Sequence, residues 1–159
     1  MASSMLEEVL CPMKRTSRTG SEKPTVLIAE DDEIMGRLVA QTLSEAGFRT
    51  RWVTNGVDAI NVILKTRPEL IVLDLVLPRL HGERVCSMVR HSAPVRHTPI
   101  LVMSGCATLE SKLRTYDLGA DDYVTKPFDV TELIVRAEAL WSRSRRHRFA
   151  TPFLGPGWN

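Results

Sequence analysis

Leu70-Ile71-Val72-Leu73-Asp74 decides how the rest of the chain is read. Four apolar residues, Ile71 and Val72 among them β-branched, end abruptly in a carboxylate, and Pro78 and Gly82 punctuate the residues after it. A continuous apolar run this short has the form of a strand buried on both faces, as inside a parallel sheet. Burying a lone carboxylate is costly, so Asp74 is expected at the strand's carboxyl end, facing a crevice. Taken singly, an Asp after a strand does no more than start a turn. Its meaning depends on what the other strands bring beside it.

Upstream of that stretch, Thr25-Val26-Leu27-Ile28-Ala29 has the same form and runs into Glu30-Asp31-Asp32-Glu33. Ile34, Leu38, Val39, Thr42, Leu43 and Ala46 then recur at three and four, a helix face, with Gly47 as its C-cap. Arg49 to Val53 alternates as a short strand, Asn55-Gly56 turns the chain, and Val57, Ile60, Ile63 and Leu64 mark a second helix ending before Pro68. Downstream, a third helix is expected from about Glu83 to His91, a strand at Ile100-Leu101-Val102-Met103 and a helix over 107–118. A fifth strand, Asp122-Tyr123-Val124-Thr125, ends at Lys126-Pro127. Asp129 caps a last helix, with Glu132 closing a capping box and Leu133, Ala137 and Leu140 as the buried face.

Strands alternate with helices five times, which predicts a parallel sheet covered by helices on both faces. Five units in roughly 120 residues fit the flavodoxin-like doubly wound order 2-1-3-4-5 better than a barrel, which needs about 250 residues. The domain is expected over 25–142, preceded by a mobile leader (1–24) and followed by a basic tail or linker (143–159).

Composition is that of an ordinary soluble globular chain, 43% hydrophobic and 25% charged. No apolar run approaches the eighteen residues of a membrane span, and Glu7 and Glu8 interrupt the only apolar patch near the N-terminus, so neither a span nor a signal peptide is expected. Cys11, Cys86 and Cys106 lack metal-ligand spacing and predict reduced thiols in a cytoplasmic protein. The net charge of +2 hides an asymmetry: residues 25–142 carry 13 Lys or Arg against 16 Asp or Glu, while residues 143–159 carry 4 Arg and no acid. A mildly acidic body is a poor nucleic-acid surface by itself.

In a doubly wound sheet, ligands bind beyond the carboxyl ends of the strands. That edge collects Glu30 and Asp31 after the first strand, Asp74 after the third, Ser104 after the fourth and Lys126 after the fifth. Two carboxylates about 4 Å apart repel by roughly 4 kcal/mol at an effective dielectric near 20, so three need a cation to remain ionised together. An oxygen-only ligand set points to Mg²⁺, which takes one or two carboxylates, keeps several waters and adds phosphate oxygens. The arrangement is equipment for phosphoryl transfer onto Asp74. Its carboxylate is the nucleophile, Mg²⁺ and Lys126 neutralise the phosphoryl oxygens, and the Ser104 hydroxyl donates to one of them.

At these residues the chain resembles the receiver domain of two-component response regulators, over about 25–142. The acidic pair appears as Glu30-Asp31, the phospho-acceptor as Asp74 in Leu73-Asp74-Leu75-Val76-Leu77-Pro78 with Gly82 beyond it, the switch hydroxyl as Ser104, the switch aromatic as Tyr123, and the Lys-Pro-Phe motif as Lys126-Pro127-Phe128. The resemblance implies a histidine kinase as phosphate donor, a Val76 carbonyl on the Mg²⁺, and catalysis confined to the protein's own phosphorylation and dephosphorylation. It also implies a switch in which Ser104 moves toward the phosphoryl group and Tyr123 rotates inward. Residues 119–128 look most like the OmpR/PhoB-type branch that carries a winged-helix DNA-binding domain. That branch forms homodimers on activation through helix four, strand five and helix five. Lys112 with Glu132, and Asp122 with Arg136, fall where it makes ion pairs across the dimer. A third pairing position departs from the pattern, because Asp117 and Glu138 are both acidic.

Read one at a time, Glu30 and Asp31 could equally cap a helix and Lys126 could be a solvated lysine. Neither a Gly-x-Gly-x-x-Gly after a strand nor a Gly-Lys-Ser/Thr loop occurs, which sets aside dinucleotide and P-loop chemistry. An aspartate-nucleophile phosphatase would want a second Asp where Val76 stands. Three other readings stay open: a regulatory fragment of a DNA-binding transcriptional regulator, a receiver-like module that works without phosphate, and nucleic-acid binding through Arg143, Arg145, Arg146, His147 and Arg148. Against the last, the Arg cluster can simply continue the final helix into a linker.

Overall fold

The computed structural model describes residues 23–105 and 108–149, with side chains described as far as 146. Most of the expected leader, Cys11, Cys106, and residues 150–159 of the expected tail lie outside the described residues. Five parallel strands, β1 (Thr25–Ala29), β2 (Arg49–Val53), β3 (Leu70–Asp74), β4 (Ile100–Ser104) and β5 (Asp122–Thr125), form one sheet in the order β2-β1-β3-β4-β5. This is the expected doubly wound order, with β3 at its centre. Helices α1 (Glu33–Glu45), α2 (Gly56–Thr66), α3 (Gly82–His91) and α4 (Leu109–Asp117) connect the strands in turn, and α5 (Val130–Phe149) follows β5.

The period of two along the strands divides the core between the two faces of the sheet. Leu27, Ala29, Ile71, Leu73, Ile100 and Val102 point toward α2 and α3, where they meet Ile60, Ile63, Val85, Cys86 and Val89. Val26, Ile28, Leu70, Val72, Leu101 and Met103 point the other way, against Val39 and Leu43 of α1 and Leu133, Ala137 and Leu140 of α5. Every residue of β3 and β4 is buried. Full burial of each Leu, Ile or Val stabilises by about 1.5–3 kcal/mol, so the central strands anchor the fold.

Local chemistry sets where the helices begin. Asp32 accepts from the Met35 amide at 2.7 Å and Asn55 from the Asp58 amide at 2.9 Å, each the first cap of its helix. Asn55 is thus the cap of α2 as well as part of the turn into it. Helix α4 starts at Leu109, capped by Thr108, rather than at Ala107, which is outside the described residues. Asp129 accepts from the Thr131 amide at 2.6 Å, as expected of a cap. Glu132 does not close a capping box, because Arg136 one turn on draws its carboxylate away (Nε to Oε1, 2.9 Å). Helix α5 runs past residue 142 through Arg143, Arg145 and Arg146 to Phe149, so the Arg cluster does continue the last helix. No helix among the described residues is long and apolar enough to cross a membrane.

Candidate functional site

Parallel strands deliver their carboxyl ends to one edge, and there the predicted residues converge. Glu30 follows β1, Asp74 ends β3, Ser104 ends β4, and Lys126 follows β5. The Lys126 Nζ donates to Glu30 Oε2 and to Asp74 Oδ2, both at 2.6 Å. Glu30 is 1% exposed and Asp74 6%, so both carboxylates are held in low dielectric with one ammonium between them. Asp31, the next residue, is exposed, and single oxygens of Glu30, Asp31 and Asp74 come within 4.8 Å of one another. These three are the donor set expected for a hard divalent cation.

Main-chain donors hold the carboxylates in place. Asp74 Oδ1 accepts from the Val76 amide at 2.9 Å, and Glu30 Oε1 accepts from the Asp32 amide at 3.1 Å. Because Asp32 performs the capping of α1, Glu30 and Asp31 are released from that role. Gly82 lets α3 begin directly on the Asp74 carbonyl, where a Cβ would collide with that oxygen, and its amide donates to Leu75 O at 2.9 Å. The close approach fixes the loop after Asp74 and requires glycine.

Burial and the nearby Asp74 charge push the Glu30 carboxyl above the usual carboxylate range, against the pull of Lys126 and the Asp32 amide. For Lys126, burial is the largest single effect and pulls its pKa down, but the hydrogen bonds and charges of Asp74 and Glu30 together outweigh it. The ammonium is held above its ordinary value. Away from the site, burial pushes the Cys86 thiol up to about 12, which makes it an inert core residue.

Ser104 is 5% exposed, and its carbonyl accepts from the Lys126 amide at 2.8 Å, so the serine and the lysine share one backbone rung. A cavity of about 470 Å³ opens beside it, lined by Leu75, Val76, Ser104, Arg114 and Thr115. Tyr123 is 5% exposed and belongs to the core cluster that includes Val85, Val89 and Val102, with Val102 as its register partner in β4.

The charges expected across a dimer are engaged within the chain. Arg136 Nη1 donates to both Asp122 oxygens at 3.0 Å, and Arg136 also pairs with Glu132. Lys112 lies 5.6 Å from the centroid of the Tyr123 ring, a cation–π distance, rather than on Glu132. Residue types alone missed Trp52, whose indole N–H donates to the Glu30 carbonyl at 2.8 Å. They also missed Arg90, which clamps the opposite edge by donating to the carbonyls of Gly119, Arg96 and Thr98 and to Asp121. Neither stands in a motif; each acts through a fold contact between residues distant in sequence.

Residues 26–138 match the model of the response regulator receiver domain, and the chain belongs to that family. It is 36% identical over 123 residues to the DNA-binding dual master transcriptional regulator RpaA of Synechocystis sp. (strain ATCC 27184 / PCC 6803 / Kazusa), across 77% of this chain and 51% of that protein. It is 38% identical over 120 residues to the transcriptional regulatory protein PcoR of Escherichia coli, across 76% and 52%. The chain therefore spans about half the length of the curated relatives it matches. Among solved structures, the receiver domain of the Francisella response regulator 1452 superposes with a TM-score of 0.73 at 31% identity, covering 76% of this chain and 98% of that one. The relatives' names agree with the branch expected from residues 119–128.

Proposed function

We propose that Asp74 accepts a phosphoryl group from a histidine kinase, with Mg²⁺ held by Glu30, Asp31, Asp74 and the Val76 carbonyl. The observation that carries this reading is the pair of bonds from Lys126 to Asp74 and Glu30. A carboxylate held beside a fixed ammonium is placed as a nucleophile without a separate general base. When bound, Mg²⁺ supplies charge neutralisation for an incoming phosphoryl group. The chain's own residues do the rest. The Val76 amide orients one Asp74 oxygen and leaves the other facing Lys126, which is placed to stabilise charge on the transferred group. Ser104 closes on that group, and the cavity beside it gives α4 room to follow. The face built from Lys112, Asp122, Glu132 and Arg136 then changes its pairing, favouring a homodimer or another partner. The relatives named as transcriptional regulators support control of transcription as the output.

Mg²⁺ should raise the melting temperature of the unphosphorylated protein, because it relieves repulsion among the three carboxylates. Binding to the native state at a hundredfold excess over Kd stabilises by about 2.7 kcal/mol. Asp31→Ala is expected to lose most of that response in a thermal melt. An unchanged response in the variant removes Asp31 from the site.

A further inference from the structure

Glu30 is hydrogen-bonded at all four of its polar atoms. Its amide donates to Val53 O at 3.1 Å, its two side-chain oxygens take Asp32 N and Lys126 Nζ, and its carbonyl takes the Trp52 indole N–H. The last bond comes from β2, an edge strand, and crosses over the start of α1. Trp52 pairs with Ile28 in the sheet register, so its ring lies on the α1 side, packed with Met35 and Ala40 against that face of the core. It fits because position 36 is glycine. A Cβ on Gly36 would run into the indole at Cε2, Cζ2 and Nε1. Glycine within a helix is ordinarily unfavourable relative to alanine, so α1 accepts a local cost where the indole passes.

We infer that Trp52 is a positioning residue for the divalent-cation pocket, acting through the Glu30 carbonyl, with Gly36 as the gap that admits it. The inference rests on the Mg²⁺ reading above and assigns part of that pocket to β2, which contributes no ligand. Asp31 leaves the sheet from the carbon that bears this carbonyl, so the indole fixes the point from which the exposed ligand reaches the metal. Without the N–H, a carbonyl on a residue that is 1% exposed loses its partner, and the acidic loop gains conformations that Mg²⁺ must then select against.

The test compares wild type, Trp52→Phe and Gly36→Ala by calorimetric titration with Mg²⁺, at a temperature where circular dichroism shows each to be folded. Trp52→Phe keeps most of the ring and deletes the donor. Gly36→Ala keeps the donor and displaces it, while adding helix propensity. Both are expected to weaken Mg²⁺ binding about three- to tenfold, the scale of one net hydrogen bond. In labelling by acetyl phosphate, both should raise the Mg²⁺ concentration for half-maximal rate and leave the rate at saturating Mg²⁺ unchanged, a split that a merely packed tryptophan would not produce. Wild-type affinity in both variants overturns the inference and leaves the Mg²⁺ reading standing. If wild type itself binds no Mg²⁺, both fall together.

Discussion

Lys126 places one ammonium against two buried carboxylates, and its removal leaves Glu30 and Asp74 facing each other. Deleting one partner of a buried pair costs about 3–5 kcal/mol, so Lys126→Ala should unfold at markedly lower urea without Mg²⁺ and recover part of the loss with it. An Mg²⁺ response no larger than that of wild type would mean the cation does not enter between these carboxylates. The pH dependence comes from the raised lysine. Its folded pKa lies above its usual 10.5, so its pairs contribute fully below that value and are lost as pH climbs through the higher one. Glu30 runs the opposite way from a surface carboxylate. Its raised pKa means that ionisation works against folding as pH rises through the raised value, and a cation offsets that cost. Of the candidate site residues, Glu30, Asp74 and Ser104 were legible because each ends or follows an apolar strand with an abrupt charge or hydroxyl. Trp52 and Arg90 were not, since the partner of Trp52 lies 22 residues away and those tying Arg90 to the start of β5 lie 29 and 31 away, and only the folded sheet brings them together.

At the scale of elements, strands β1, β3 and β4 could be read as continuous apolar runs, and their order came from five alternations in a short chain. Helix starts were less legible. Asp32 caps α1 inside a run of four acids, and only geometry shows which of the four does so. Glu132 had two partners within reach, the cap and Arg136, and sequence spacing alone does not rank them. The long α5 shows that a basic composition shift at residue 143 need not be a helix end. Arg90 ties α3 to the loops before β4 and β5, at the edge away from the candidate site. Arg90→Ala leaves the part-buried carbonyls of Thr98 and Gly119 without this donor and should lower stability by about 1–3 kcal/mol in urea denaturation, with Mg²⁺ affinity unchanged. A change in Mg²⁺ affinity of tenfold or more would show that this clamp and the acidic pocket are one cooperative unit.

For the whole molecule, the receiver module presents α4 almost bare. Thr115 alone is buried on that helix, while Leu109, Leu113 and Tyr116 are exposed beside Lys112. Arg136 already serves Asp122 and Glu132 of its own chain, so a dimer must exchange these pairs rather than create them. Exposed pairs contribute about 0.2–1 kcal/mol each, and Asp117 and Glu138 add none. Dimerisation is accordingly expected only on activation, a shift between two packings that a phosphoryl group favours unequally. Sedimentation should show monomer without, and dimer with, beryllofluoride, a mimic of phosphorylated Asp; a monomer at high micromolar concentration with the mimic removes the homodimer and leaves the face to another partner. The central claim, that Asp74 is the sole phosphoryl acceptor, is tested most directly by incubation with acetyl phosphate and Mg²⁺ and then intact-mass measurement. One alkali-labile adduct of about +80 Da, the mass of one phosphoryl group, is expected on wild type and none on Asp74→Asn. Equal labelling of the variant would contradict that claim.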